Sequence, residues 1–141
     1  MRRAFSLPEL VLVLAVAGIV LSMAVPQLSR ARDRIQVQAA AHHIAAAHQR
    51  ARLMAVTQGR VVVLSVNQAE LAIRRREADT TLWVQAGPAA HGVELAGSTR
   101  QFTFSPAGLT LGLSNATLRL TRGSATRTVV VSRLGRVRIV R

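Results

Sequence analysis

The chain has no cysteine, no lysine and no tyrosine, and its 141 residues include one tryptophan and three phenylalanines. Without cysteine there is neither a disulfide to staple a small fold nor a thiol nucleophile. Acidic residues are also scarce, six against 19 basic ones. One of the six, Glu9, lies inside an apolar run, which leaves little material for a paired general acid and base. His42, His43 and His48 fall close together, but no two are spaced i, i+4, the separation that puts two imidazoles on one helix face. They read as surface or packing residues. No phosphate-cradling glycine loop and no dinucleotide fingerprint occur. The sequence therefore predicts a non-enzyme with no catalytic residues, no metal site and no cofactor.

What is present begins at the N-terminus. A basic tip, Met1-Arg2-Arg3, precedes Ala4-Phe5-Ser6-Leu7-Pro8-Glu9-Leu10 and an apolar run that reaches Val25-Pro26. Between Arg3 and Arg30 the only charged residue is Glu9. Phe5 to Val25 as a helix spans about 31 Å, enough to cross a bilayer core. A carboxylate inside such a span costs about 2.5–3.5 kcal/mol on insertion scales, so it implies a partner. An ordinary secretory signal cleaved after Ser22-Met23-Ala24 is a competing reading. It places Pro8 and Glu9 where the apolar region should start and Pro26 just beyond the cut. A plain single-pass anchor is another, and it leaves Glu9 unexplained.

Residues 4–10 resemble the N-terminal signature of type IV prepilins and type II secretion pseudopilins. Ala4 stands where glycine is usual and is comparably small. The resemblance implies that a prepilin peptidase cuts between Ala4 and Phe5 and methylates the new Phe5 amine. It also implies that Glu9 neutralises the Phe5 amine of a neighbouring subunit in the filament, and that Pro26 kinks the helix. Two opposite charges in an apolar bundle are tolerable only as a pair.

Residues 27–57 continue a helical pattern. Leu28, Ile35, Ala39, Ala46 and Leu53 recur at helical spacing, with Ile44, Ala47, Ala51 and Met54 broadening the stripe, and Gly59 is a stop signal. Beyond it the period changes to short β-type runs. These are residues 61–66, 71–75, 81–85, 92–95, 101–104, 109–113, 117–121, 128–132 and 137–140, with turn signals between several of them. The predicted fold is α+β: a long N-terminal helix packed on a small antiparallel β-sheet domain. The parts are a leader (1–4), a membrane and filament-core helix (5–26), an amphipathic stem (27–58) and a β-domain (59–141). Roughly 80 residues of β-domain bury a marginal core alone, so the sheet is expected to lean on the stem. Arg2 and Arg3 favour an outward β-domain, although Arg30, Arg32 and Arg34 weaken the asymmetry.

The turn Phe102-Thr103-Phe104-Ser105-Pro106-Ala107-Gly108 and the terminal Ser132-Arg133-Leu134-Gly135-Arg136-Val137-Arg138 resemble the GspH/FimT family of minor pseudopilins and pilins. That family implies a subunit in the bacterial inner membrane with its β-domain in the periplasm or on an extracellular filament. Its partners would be other pilin or pseudopilin subunits, the prepilin peptidase and the membrane. The expected work is filament assembly or priming in protein secretion or pilus biogenesis.

After Glu94 no acid occurs, whereas Arg100, Arg119, Arg122, Arg127, Arg133, Arg136, Arg138 and Arg141 do, a local charge of about +8. Arg136 and Arg138 alternate and should share a strand face, and Arg119 and Arg127 could join them if their strands pair alongside. With only Trp83, Phe102 and Phe104 in the domain, stacking on single strands is poorly supplied, so duplex DNA held through phosphates is the better nucleic-acid reading. Some FimT-like proteins are associated with DNA capture in natural transformation, and Gly135-Arg136-Val137-Arg138 resembles their basic element. The alternative function is thus double-stranded DNA binding through Arg136, Arg138, Gly135, Arg133, Arg127 and Arg119. A solvated face, or a face that docks acidic neighbours, stands against it.

Overall fold

The computed structural model describes residues 6–112 and 115–141. The expected processing pair, Ala4 and Phe5, lies outside them, and so does the expected amine partner of Glu9. One helix, α1, runs from Leu7 to Gln58, 52 residues. Residue contacts divide the chain into a unit ending at Arg32 and a second unit, Asp33–Arg141.

In the first unit α1 is long and apolar enough to cross a membrane. Every large apolar side chain from Leu7 to Val25 is more than half exposed, on all sides of the helix. Such a surface is stable only in lipid or against other apolar helices. Glu9 lies in the first turn, exposed. Pro26 sits inside α1 without ending it, although its missing N–H leaves the Ser22 carbonyl without an intrahelical donor. Ser22 Oγ donates to the Ile19 carbonyl at 2.7 Å and Ser29 Oγ to the Pro26 carbonyl at 2.9 Å.

In the second unit the buried face of α1 is Val37, Ala40, Ala41, Ile44, Ala47, His48, Ala51 and Ala55. This corrects part of the expected stripe. Leu28, Ile35 and Leu53 are 74%, 66% and 62% exposed, and Ala46 is exposed too. The set that was to broaden the stripe is instead its centre, because a face of alanines lets the sheets approach the helix backbone where longer side chains would hold them off. The helix stops as the sequence indicates. Gly59 takes φ +59°, its N–H bonds the Val56 carbonyl at 3.3 Å, and Arg60 N–H bonds the Ala55 carbonyl at 3.2 Å. Those two bonds make a Schellman cap, which needs the left-handed conformation that glycine adopts without strain.

Among the described residues nine strands follow: β1 (Val62–Val66), β2 (Glu70–Arg75), β3 (Thr81–Ala86), β4 (Glu94–Leu95), β5 (Arg100–Phe104), β6 (Thr110–Leu111), β7 (Ala116–Arg122), β8 (Ala125–Val131) and β9 (Val137–Val140). They form two antiparallel sheets, β3-β2-β1-β5-β6 and β4-β7-β8-β9. The expected run at 92–95 shrinks to two strand residues because the 3-10 turn at Pro88–His91 is capped by Gly92 in the left-handed conformation and by Val93 N–H on the Pro88 carbonyl. The expected run at 128–132 starts earlier, since Gly123-Ser124 closes a two-residue hairpin with Arg122 opposite Ala125.

Alternation gives each sheet one apolar face. Val62, Leu64, Val66, Leu71, Ile73, Phe102 and Phe104 from the first sheet meet Leu118, Leu120, Val129 and Val131 from the second in one buried cluster with the alanine stripe of α1. The stem thus supplies part of the core that the strands alone lack.

Candidate functional site

Period-two alternation sorts the C-terminal arginines. In β8, Val129 and Val131 point into the core, so Thr128 and Val130 point out. Register then aligns Thr117, Val130 and Arg138 in one cross-strand row and Arg119, Thr128 and Val140 in the next. Arg119 and Arg138 therefore share the outer face, two strands and one step apart. Arg136 and Arg138, with Val130, Ser132 and Leu134, line a groove of about 370 Å³ on that face. Arg119, Arg136 and Arg138 are exposed, and among the described residues no carboxylate lies within ion-pair distance of them. An anion meets those three charges without first displacing an acidic neighbour.

The turn that leads into Arg136 is firmly seated. Ser132 and Arg136 close it, with Ser132 N–H on the Arg136 carbonyl at 2.9 Å and Arg136 N–H on Ser132 Oγ at 3.1 Å. Gly135 completes a three-residue hairpin loop at φ +73°. Thr110 Oγ1 donates to the Arg133 carbonyl at 2.7 Å, tying the turn to β6. A Cβ at Gly135 would lie 3.1 Å from Thr110 Cγ2 and 3.9 Å from His48 Cε1. Leu134 at the tip is 85% exposed. Arg133 is exposed beside it.

Arg127 does not join this face. Its parity is that of Val129 and Val131, and its Nε donates to Gln38 Oε1 on α1 at 2.8 Å. Arg122 is drawn inward likewise. Its Nε donates to Asp33 Oδ1 at 2.9 Å and its Nη1 to the His91 carbonyl. Sequence counting pooled both with the exposed arginines. Two of the positive charges in the C-terminal half instead fasten the second sheet to the stem.

The histidines divide as well. His48 is buried, with both ring nitrogens unpartnered, and stands edge-on to Phe102 and Phe104 at 5.5 and 4.9 Å. Burial, with Arg52 nearby, lowers its pKa from 6.5 to about 4. His43 meets His91, a residue that the sequence offered no reason to pair with it. Among the described residues no three His, Cys, Asp or Glu side chains converge.

Residues 40–135, the stem from Ala40 and both sheets as far as the Gly135 turn, match the family described as type II transport protein GspH. The chain belongs to this GspH family. It is similar to the pilin-like protein PilA1 of Thermus thermophilus, with 34% identity over 155 residues and 98% of each chain covered. Crystal structures of the type IV minor pilin FimU of Pseudomonas aeruginosa share the fold. One aligns at TM-score 0.63 and 21% identity, covering 77% of this chain and 90% of that one. Another aligns at TM-score 0.58 and 19% identity, covering 74% and 92%. The chain is accordingly a pilin or pseudopilin of the type II secretion and type IV pilus family, a structural and non-enzymatic group. Family membership implies assembly with other pilin subunits and a place in the envelope or filament, and its apolar N-terminal helix is consistent with membrane anchoring.

Proposed function

We propose that this GspH-family subunit primes or joins a secretion pseudopilus or type IV pilus, stored in the inner membrane until its helix enters the filament core. The observation that carries the reading is the Leu7–Val25 surface of α1, apolar on every side and interrupted by one carboxylate, Glu9. Lipid and a bundle of like helices both satisfy the apolar part; only a paired cation satisfies the carboxylate. The Phe5 amine of a neighbour, freed when a prepilin peptidase cuts after Ala4 and then methylated, supplies that cation. The second unit would then lie in the periplasm or on the filament surface. Mass spectrometry of the protein from its host tests the first step, with an N-methylated Phe5 as the expected mature terminus. Glu9→Ala tests the second, and should leave the subunit in the membrane and out of sheared filaments. An uncut Met1 terminus, or normal incorporation of the Glu9→Ala variant, would sink this reading.

The unpaired Arg119, Arg136 and Arg138 on one outer face support a second role, the grip of double-stranded DNA through phosphates for uptake in natural transformation. Arg136→Ala/Arg138→Ala in the full chain, in non-ionic detergent, should abolish most of a duplex affinity that falls steeply with salt. Binding indifferent to both substitutions, or no binding at low salt, would remove the DNA role and leave assembly as the function.

A further inference from the structure

Apart from the basic face, one cluster of chemistry-bearing side chains remains without a task. His43, on α1, and His91, at the end of the 3-10 turn, are both half-buried and come from segments far apart in sequence. His91 Nε2 lies 3.1 Å from His43 Nδ1. Gln36 Oε1 lies 3.0 Å from His91 Nδ1, and Gln85 Nε2 lies 3.3 Å from His43 Nδ1.

Hydrogen counting exposes the difficulty in this arrangement. A carboxamide oxygen only accepts, so Gln36 fixes the proton of His91 on Nδ1 and leaves Nε2 with a bare lone pair. A carboxamide nitrogen only donates, so His43 Nδ1 also carries no proton and accepts the Gln85 N–H across a long 3.3 Å. Two proton-free ring nitrogens then stand 3.1 Å apart, with no N–H of either ring between them. The ring centroids are 4.9 Å apart at an interplanar angle of 62°. That separation is shorter than a straight ring–N···N–ring line would span, so the lone pairs are tilted off the N···N axis, as they must be to meet at one ion. A metal bound to both nitrogens at about 2.05 Å would subtend an N–metal–N angle of about 98°, between the octahedral and tetrahedral values.

We propose that His43 and His91 form a two-imidazole site for a borderline divalent transition-metal ion such as Zn²⁺ or Cu²⁺, oriented by Gln36 and completed by water, the ion taking the His43 Nδ1 lone pair from the long Gln85 contact. Imidazole suits these ions, whereas Ca²⁺ and Mg²⁺ demand oxygen ligands that the pair does not offer. The Gln36 contact has the form of an outer-shell bond that fixes a ligating tautomer. Because one ligand stands on the stem and the other on the 3-10 turn, the ion ties the two together and stabilises the folded second unit. The site draws on no residue of the basic face or of the apolar segment 7–25 of α1, so its success or failure is independent of both roles proposed above.

The test uses the untagged full chain in non-ionic detergent, stripped with chelator, titrated calorimetrically with Zn²⁺ and, separately, Cu²⁺ and Ca²⁺ at pH 7.5. The expected result is one saturable transition-metal site and no Ca²⁺ binding, weakened at least tenfold in His43→Ala and in His91→Gln. His42→Ala, which removes an exposed neighbour, should bind as wild type. Thermal unfolding gives an independent reading: Zn²⁺ should raise Tm in the wild type and in His42→Ala but not in His91→Gln. No saturable binding, or binding undiminished in His91→Gln, would overturn the site and leave the pair as a hydrogen bond with one amide turned over.

Discussion

Acid should loosen this protein through His48. The ring is buried between Phe102, Phe104 and the Gly135 turn, with neither nitrogen partnered. Its pKa falls to about 4 in the folded chain, from 6.5. A lowered folded pKa means that the unfolded chain binds the proton more readily. Stability is therefore full above pH 6.5 and drains away as pH falls toward 4. Between pH 7.5 and 4.5 the linkage relation gives a loss of about 2.5 kcal/mol from this residue, a sizeable part of a small domain's stability. Urea unfolding of the full chain in non-ionic detergent, followed by fluorescence, reads the effect. The reporter is Trp83, the single tryptophan, which stands 5.1 Å from the Arg50 guanidinium. With an m-value of about 1–2 kcal/mol/M, the midpoint should fall by roughly 1–2.5 M over that pH range. In His48→Leu most of this fall should vanish, leaving a smaller slope to which His43 contributes in the same direction. If wild type and His48→Leu lose equal stability on acidification, the burial account of His48 is wrong.

Other consequences follow from the same contacts. Gly135→Ala combines a strained positive φ with a methyl 3.1 Å from Thr110 Cγ2, and should cost about 1–3 kcal/mol by urea unfolding. Asp33→Ala strips the mostly buried Arg122 of its carboxylate. It should destabilise by about 1–3 kcal/mol, whereas Asp79→Ala, whose pair with Arg74 is exposed at 3.7 Å, should change stability by under about 1 kcal/mol. If duplex DNA binds the outer face, Arg119→Ala should lower the slope of log affinity against log salt by about 1. Arg127→Ala should instead leave that slope unchanged and lower the urea midpoint, because Arg127 faces Gln38.

Local patterns were legible in the sequence wherever one residue type governs a conformation. Gly59 announced the helix stop, and the β-type runs fell where strands form, because alternation and turn residues act within a few positions. Three features were not legible, each decided across the fold. The stem's buried face went to alanines over Ile35 and Leu53, a choice set by how near the sheets come and not by hydrophobicity. Arg122 and Arg127 resembled Arg136 and Arg138 in every local respect until strand parity and α1 separated them. His91 stands far along the chain from His43, and no spacing rule reaches that far. The processing signature is different again: Ala4 and Phe5 lie outside the described residues, and their proposed cleavage is a matter for the mass of the mature protein.

The alanine face of α1 also sets which lengths in this chain are free to vary. Alanine has no rotamer with which to adjust, so the match between stem and sheets is one of backbone shape, fixed residue by residue from Val37 to Ala55. One residue inserted there would swing everything beyond it by about 100° and turn the face from the strands to solvent. The exposed bend at residues 76–79 carries no such constraint, and a residue added there moves only the bend. In this fold the stem behaves as a toothed rack whose pitch cannot change, and length variation among relatives should be found in the loops.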